Sequence, residues 1–347
     1  METKVLHFSL RKALTVLLAC FILAALVPLL YVLHWPLAQP PQGQTADIRI
    51  KFGTPPDSIA VMLERAQVIG SANRFKLALK LLNKGGALRA GHFRIPRPVS
   101  NKRAILALTE GPQILTKVTI PEGLTVQRIA GIFRREMGLD SSRIVQLTRD
   151  SSFTARFRIG ADNLEGYLLP ETYFFPYGST ETQVITPLVQ QFKRTVWDTL
   201  YARSQEMGFT TGEMLTLASI IQAEAKREDE MPAISSVYHN RLRLGIPLQA
   251  DPTIQYLLPD GPRHLLFRDL EIDSPYNTYR HRGLPPGPIA NPGKAAILAA
   301  VRPEATDYLF FVADTYGGHT FSSNYRGHLK AKTVLDQERK RVKAMRR

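Results

Sequence analysis

The first long feature of the hydrophobic pattern is an uncharged stretch near the amino terminus. Residues 13–33 carry no charged side chain and are nearly all apolar. A helix of this length measures ~31 Å at ~1.5 Å per residue, which matches one bilayer core. Lys4, Arg11 and Lys12 precede the stretch. Positive charge on that side predicts a transmembrane helix over 13–33, with a cytoplasmic segment over 1–12 and an exported remainder.

Two other interpretations of this segment stay open. A cleaved signal peptide has a shorter apolar region as a rule, and no small-residue cleavage site follows this one cleanly. The letters LLAC, which end at Cys20, also resemble a lipoprotein cleavage box. Cleavage there would leave the mostly apolar residues 21–33 on the mature chain, whereas a lipid-anchored protein usually continues into a polar tether. The transmembrane anchor is therefore the favoured interpretation.

Short strand and helix patterns follow a linker rich in Pro, Gln and Gly over 34–46. A strand that ends at a glycine turn and enters an amphipathic helix occurs twice, with matching pairs Ile50 and Ile120, Gly53 and Gly123, Ile59 and Ile129, and Ala60 and Ala130. This weak repeat predicts two small strand–helix modules, roughly at 46–112 and 113–160. Such modules bind an extended polymer or space a following domain, here 161–347, from the membrane.

One helix pattern carries a candidate catalytic acid. Thr210 and Glu213 have the spacing of a capping box, and apolar residues then recur at helical spacing. Glu224 lies three residues after Ile221, so its carboxyl falls on or beside the apolar stripe. Desolvation there raises the pKa of a carboxyl. An acid that is protonated near neutrality can donate a proton to a leaving oxygen.

Plain structural explanations for this glutamate are also open. Glu224 could form an ion pair with Arg227, or it could simply mark the edge of the apolar stripe. The three acidic residues that follow, Glu228, Asp229 and Glu230, have the pattern of a solvated charge run.

Polar residues on a predicted loop are candidates for substrate binding. Gln249 and Asp251 lie close together after the helix that ends near Gly245. Polar side chains on a loop beside a buried acid suit the recognition of sugar hydroxyls. It is equally consistent that Asp251 caps a short helix that begins at Pro252.

A proline-rich region contributes three more candidates. Tyr276 and Tyr279 could stack on sugar faces, and Asn277 between them could hydrogen-bond amides or hydroxyls. Aromatic side chains also fill cores, so the pattern alone does not decide between the two roles.

Composition narrows the classes of function. The 347 residues carry a formal charge of +15, which implies an anionic partner. A single cysteine excludes an intramolecular disulfide and a Cys-rich zinc module. The sequence lacks the motifs of zinc proteases, serine hydrolases, P-loop proteins and dinucleotide-binding proteins. Export favours anionic lipid or a carboxylate-bearing cell wall over nucleic acid as the partner.

Several motifs in order resemble the endolytic murein transglycosylase family, also called YceG-like. They are LEGYLLPETY, LASIIQAEA, NRLRLGIPLQADPT, SPYNTY, GLPPGPIANPG and GGHTFSSN, between residues 164 and 329. The resemblance implies an α+β fold, with an N-terminal transmembrane helix and LysM-like α/β modules over 47–160. A mixed α+β catalytic domain would then occupy 161–347.

The resemblance also implies an activity. Such an enzyme cuts nascent peptidoglycan strands internally, between N-acetylmuramic acid (MurNAc) and N-acetylglucosamine (GlcNAc), and leaves 1,6-anhydroMurNAc ends without a metal or organic cofactor. The family's catalytic glutamate falls on Glu224 in SIIQAEA, while Gln222 stands where many relatives carry a second acid. Five residues would line the glycan cleft: Gln249, Asp251, Tyr276, Asn277 and Tyr279.

The resemblance places the protein in a bacterial cytoplasmic membrane, with its catalytic domain on the outer, periplasmic face. It suggests peptidoglycan glycan strands as the substrate, peptidoglycan synthases of elongation or division as neighbours, and no nucleic-acid partner. Two alternatives stay open. One is a muramidase-type hydrolase, with Asp251 or Glu171 as the second carboxylate, and the other is a non-catalytic peptidoglycan-binding scaffold.

Overall fold

The computed structural model describes residues 2–34, 44–259, 261 and 263–345. Most of the predicted linker over 34–46 lies outside the described residues. The described chain is largely helical, with three two-stranded sheets. The prediction of an α+β fold with an apolar N-terminal helix is therefore confirmed.

The first helix, α1, runs from Glu2 to His34. Its part from Lys12 to His34 has a mean hydropathy of 2.9 and is long and apolar enough to cross a membrane. The predicted span over 13–33 lies inside this helix. A signal sequence near the N-terminus has the same length and composition, so the cleaved signal peptide stays an alternative.

The chain divides into two compact units. The first contains residues 1–117 and 174–179, and the second contains 118–173 and 180–347. The two copies of the weak repeat fall in different units. In each copy a strand leads through a glycine of positive φ, 78° at Gly53 and 74° at Gly123, into a helix. The assignment of 47–160 to LysM-like modules stays a prediction.

In the first unit, two antiparallel strands and three helices enclose one core. The elements are β1 (Thr45–Ile50), α2 (Pro56–Arg65), α3 (Ala72–Leu81), β2 (Gly91–Pro96) and α4 (Asn101–Thr109). Thr45 pairs with Pro96, and Ile50 pairs with Gly91. Because side chains alternate along a strand, every second residue of β1 is buried against the helices.

The end of α1 is attached to this first unit. Val32 and Leu33 pack against its core. The Nδ2 of Asn101 donates to the carbonyl oxygen of Val32 at 2.7 Å. The Nη1 of Arg74 donates to the hydroxyl of Tyr31 at 2.7 Å, and the guanidinium lies 5.2 Å from the ring centre. The last turn of the helix is thus held by both apolar and polar contacts.

The rest of the chain is mostly helical. Its helices are α5 (Val126–Met137), α6 (Ser141–Arg149), α7 (Ser151–Ala155), α8 (Glu181–Phe192), α9 (Asp198–Glu206), α10 (Thr211–Glu224), α11 (Met231–Arg243), α12 (Asp251–Leu257), α13 (Lys294–Val301) and α14 (Tyr325–Met345). The strands β3 (Leu115–Thr119) and β4 (Thr172–Pro176) pair with each other, as do β5 (Phe310–Ala313) and β6 (His319–Ser322).

Helix α10 is the central helix of the second unit and packs against α9, α11 and α13. Its predicted capping box is present, since Thr210 Oγ1 accepts from the amide of Glu213 at 3.2 Å and the glutamate accepts from the amide of Thr210 at 2.8 Å. Every residue from Met214 to Ile221 is buried. The helix is therefore surrounded by protein, and the prediction of a single apolar stripe is too narrow.

A buried polar network holds three segments of the second unit together. Glu165 accepts from the amide of Val126 at 3.1 Å and from Nδ2 of Asn291 at 2.9 Å. Asn291 also donates to the carbonyl of Leu124 and accepts from the amide of Leu168, both at 2.9 Å. Burial raises the pKa of Glu165 to about 7. These bonds fix the PIANPG segment beside the start of α5.

We expect Asn291→Ala to lower the free energy of unfolding by ~2–3 kcal/mol, because buried groups in this network would lose their partner. Asn73→Ala is the control, since Asn73 is exposed on α3, away from this network; its cost should stay below ~1 kcal/mol. Urea denaturation followed by circular dichroism measures both values. Equal effects of the two substitutions would contradict a structural role for the network.

Candidate active site

Glu224 is the last residue of α10, and its side chain is half-buried in a cavity wall. The helix ends here because Ala225 takes an extended conformation, with φ −73° and ψ 129°. The buried hydroxyl of Tyr238, on α11, donates to Oε1 of Glu224 at 3.0 Å. The carboxyl is therefore held in one orientation, and among the described residues its second oxygen has no hydrogen-bond donor.

The surroundings of Glu224 change its acidity. Burial raises the pKa of Glu224 to about 7, the hydrogen bond from Tyr238 opposes this rise, and the negative charge of Asp251 adds to it. The residue keeps some surface in the cavity, yet burial is the largest cause. The carboxyl can thus be protonated near neutrality, as its sequence position predicted.

A cavity of about 490 Å³ lies in front of Glu224. Its walls come from α11, the segment before α12, β5 and α14. Three predicted site residues, Gln249, Asp251 and Tyr279, line it together with Glu224. The cavity thus brings a protonatable carboxyl, a second carboxylate and a phenol into one space.

Asp251 is the first residue of α12, and the cap position is Ala250, with no side-chain cap bond. The alternative that Asp251 caps this helix is therefore wrong. The hydroxyl of Tyr279 instead donates to Oδ1 of Asp251 at 2.5 Å. Gln249 adopts a left-handed φ of 50°, and its amide donates to the carbonyl of Thr278. Backbone strain of this kind in a non-glycine residue is concentrated at functional sites.

The structure does not bring Tyr276 and Asn277 into this cavity. Asn277 is completely buried, and its Nδ2 donates to the carbonyls of Leu270 and Ile272 at 2.9 and 2.8 Å. Its Oδ1 accepts from the amide of Tyr279 at 3.0 Å, so Asn277 shapes the loop that carries Tyr279. Since both polar atoms of the side chain bond to the protein backbone, Asn277 has a structural role in this loop.

Tyr276 lies in a separate cavity of about 280 Å³, which Glu165 and Arg149 also line. Its ring centre is 5.2 Å from that of Tyr256. This pocket is separate from the cavity in front of Glu224. The two predicted tyrosines, Tyr276 and Tyr279, therefore line different cavities.

The predicted ion pair of Glu224 is wrong, and the solvated charge run is confirmed only for Glu228 and Asp229, which are exposed. Arg227 forms its ion pair with Asp229, at 2.5 Å, and not with Glu224. Glu230 is not a solvated charge, since it accepts from the amide of His319 at 3.1 Å and lies 2.8 Å from its ring Nδ1. This largely buried pair ties the start of α11 to β6.

Gln222 is occupied by a structural bond. Its Oε1 accepts from the amide of Gly293 at 2.8 Å. Ser219, one turn earlier on α10, accepts from the amide of Ile289 at 3.0 Å. The side chains of α10 thus hold the PIANPG segment beside the helix end that carries Glu224.

Sequence reasoning missed two residues of the site, Tyr238 and Arg241. Both lie on α11 and line the cavity. Arg241 is only 8% exposed and donates from Nε to the carbonyl of Leu309 at 2.7 Å. Its Nη1 donates to the carbonyls of Pro247 and Leu248 at 3.1 and 2.9 Å. The motif NRLRLG contains this arginine, but nothing local in the sequence shows which way it faces.

One protonatable glutamate beside a second carboxylate is the arrangement of an acid–base enzyme. Comparison with known proteins agrees. The sequence profile of the YceG-like family matches residues 48–334. The chain therefore belongs to the YceG-like family, and the resemblance found in its motifs is confirmed.

Individual relatives cover most of the chain. It is 32% identical over 304 residues to the endolytic murein transglycosylase of Bacillus subtilis. The aligned region covers 83% of this chain and 84% of that protein. It is 27% identical over 308 residues to the endolytic murein transglycosylase of Streptococcus pneumoniae, over 80% of this chain and 56% of that longer protein. A crystal structure of a YceG-like protein from Listeria monocytogenes superposes with a TM-score of 0.58 at 31% identity, and the match covers 82% and 98% of the two chains.

The raised pKa of Glu224 predicts a pH-dependent effect on stability. Between pH 4.5 and 7 the folded chain keeps a proton that the unfolded chain releases, so the free energy of unfolding falls as pH rises through this window. Glu224→Gln removes this loss. The free energy of unfolding of the variant, relative to that of the wild type, should therefore rise by ~1–3 kcal/mol from pH 4 to pH 8.

Denaturation at several pH values measures this gain. Glu228→Gln, at an exposed position four residues later, is the matched control. Its gain should be smaller than that of Glu224→Gln. A flat difference between Glu224→Gln and the wild type across this window would contradict a raised pKa.

Proposed function

We propose that this protein is a membrane-anchored peptidoglycan lytic transglycosylase that cuts the MurNAc–GlcNAc bond within glycan strands and forms 1,6-anhydroMurNAc ends. The observation that carries the proposal is the carboxyl of Glu224, whose pKa burial raises to about 7 in a polar cavity. Membership of a family with curated relatives named endolytic murein transglycosylases supports the reaction class.

In the first step, neutral Glu224 donates its proton to the oxygen that links the two sugars. The bond between this oxygen and the anomeric carbon of the muramoyl residue breaks, and the GlcNAc side leaves as an alcohol. Protonation of the leaving oxygen is the contribution of a general acid. Tyr238 holds one carboxyl oxygen by its hydrogen bond, which leaves the other free for the substrate.

In the second step, the ionised Glu224 accepts the proton of the muramoyl 6-hydroxyl. The oxygen of this hydroxyl forms a bond to the anomeric carbon of the same sugar and closes the 1,6-anhydro ring. The proton returns to Glu224, so the enzyme ends as it began. Because the nucleophile belongs to the substrate, one carboxyl serves both steps, in contrast to ordinary glycosidases with two.

Asp251 supports this chemistry through its charge. Positive charge develops at the anomeric carbon as the bond breaks, and a carboxylate in the same cavity stabilises it. The same negative charge favours the neutral form of Glu224 before the reaction. Tyr279 keeps the Asp251 carboxylate in place through its hydroxyl.

The muramidase-type hydrolase is the second candidate, because Asp251 places a second carboxylate in the cavity. Glu171, the other residue suggested for that role, is exposed and does not line the cavity. Its Oε2 accepts a hydrogen bond from Nε2 of Gln191 at 2.8 Å. A peptidoglycan-binding scaffold would need no raised pKa at Glu224.

We also propose that α1 anchors the protein in a bacterial cytoplasmic membrane, with the cavity on the outer face and peptidoglycan synthases as neighbours. The length and apolarity of Lys12–His34 support the anchor. Charged residues before the span support the orientation.

The reaction is tested on purified full-length protein with peptidoglycan strands. We expect mass spectrometry to find anhydro ends, and Glu224→Gln to lower kcat/KM by ~10²–10⁴-fold, because glutamine cannot supply the proton. Glu228→Gln should keep full activity. Reducing ends with added water would identify a hydrolase. Equal processing of the strands by Glu224→Gln and the wild type would show that Glu224 is not the acid and would favour the non-catalytic scaffold.

The pH profile tests the role of Asp251. Since the acid must be protonated, kcat/KM should fall as pH rises above about 7. Asp251→Asn removes the charge that raises the pKa of Glu224, so the alkaline fall should begin at lower pH. Asp229→Asn, at an exposed position in an ion pair, is the control and should leave the profile unchanged. An unshifted alkaline limb in Asp251→Asn would rule out this electrostatic role.

A further inference from the structure

Arg241 keeps two donors that the protein does not use. An arginine has five N–H groups, and three of those on Arg241 donate to the carbonyls of Leu309, Pro247 and Leu248. Within the part of the chain that the structure describes, the two N–H groups of Nη2 have no hydrogen-bond partner. The residue is 8% exposed and lines the cavity of Glu224, so its remaining surface faces the proposed substrate.

The guanidinium is fixed before any substrate arrives. Three carbonyls hold it, and it lies 5.2 Å from the ring centre of Phe310. A largely buried cation with spare donors gains most from an oxygen ligand that carries negative charge. Lys332 and Arg339 line the same cavity, but they are exposed on α14 and hydrated by solvent. Arg241 is therefore the preorganised donor of this site.

The proposed reaction needs such a donor for a definite reason. MurNAc and GlcNAc alternate along the strand and differ only in the lactyl group on O3 of the muramoyl residue. The anhydro ring forms on the muramoyl residue, so the enzyme must place that sugar, and not its neighbour, with its anomeric carbon at Glu224. An acyl oxygen can come from the lactyl group or from the acetamido group, but both sugars carry the acetamido group.

We propose that Arg241 is a specificity-determining residue that donates from Nη2 to the lactyl acyl oxygen of the muramoyl residue, and so selects which of the two alternating bonds meets Glu224. This inference rests on the proposed function, since it assumes a peptidoglycan strand in the cavity.

Binding to two tetrasaccharides tests the inference. One is the (GlcNAc–MurNAc)₂ tetrasaccharide with free lactyl carboxylates, and the other is chitotetraose, which lacks lactyl groups. Calorimetry uses the full-length Glu224→Gln chain in detergent, so that turnover does not interfere. With Arg241 intact, we expect the muramoyl tetrasaccharide to bind ~10- to 100-fold more tightly than chitotetraose.

Variants on α11 then test the residue itself. Arg241→Met, added to Glu224→Gln, should reduce the preference to about one-fold, because methionine has no donor. Arg243→Met is the matched control, since Arg243 lies on the same helix and lines a different cavity. Its preference should match that of the chain with both arginines. A preference that persists in Arg241→Met, or that Arg243→Met loses equally, overturns the inference.

The intact chain gives a decision even if Arg241→Met does not fold. Equal binding of the two tetrasaccharides to the chain with Arg241 overturns the inference without any further variant. A muramoyl tetrasaccharide without its N-acetyl groups should keep the preference over chitotetraose, and a lost preference would assign the contact to the acetamido oxygen instead. Because binding is measured without turnover, failure of the lytic reaction is seen separately in the product analysis.

Discussion

The desolvation of one carboxyl is the constraint on which the site depends. Glu224 can exchange a proton near neutrality because it ends a helix that is buried from Met214 to Ile221, and burial raises its pKa. A more open helix end would leave the carboxyl hydrated and ionised, and the cavity would then hold two charged acids. The apolar core around α10 is thus a condition for the proposed chemistry as well as a source of stability.

Hydrogen bonds from side chains of α10 fix the conformation of the neighbouring loops. Ser219 and Gln222 hold the PIANPG segment, and Asn291 in that segment completes the network of Glu165. Asn277 organises the neighbouring loop in the same manner. Buried side-chain amides and hydroxyls that satisfy loop backbone groups make irregular segments as well defined as helices. The motifs that resemble the family are therefore partly motifs of loop architecture.

Local signals in the sequence predict local features well. The capping box at Thr210, the apolar run over 13–33 and the position of Glu224 at the end of an apolar helix depend on neighbours within a few residues. Contacts between distant segments leave no such signal. The pair of Glu230 with His319, the inward orientation of Arg241 and the separation of Tyr276 from Glu224 arise from packing between elements far apart in the chain. Polar residues on loops were the least predictable, because their spacing does not show whether they serve substrate or backbone.

The attachment at the end of α1 has a mechanical consequence. Tyr31 and Val32 belong to the last turns of the apolar helix and also bond to the first unit. If that helix lies in a bilayer, as proposed, these contacts hold the first unit directly at the lipid surface. No flexible segment then separates the end of the helix from the residues that bond to it. The distance that the first unit can reach from the lipid surface is then set by the dimensions of that unit alone.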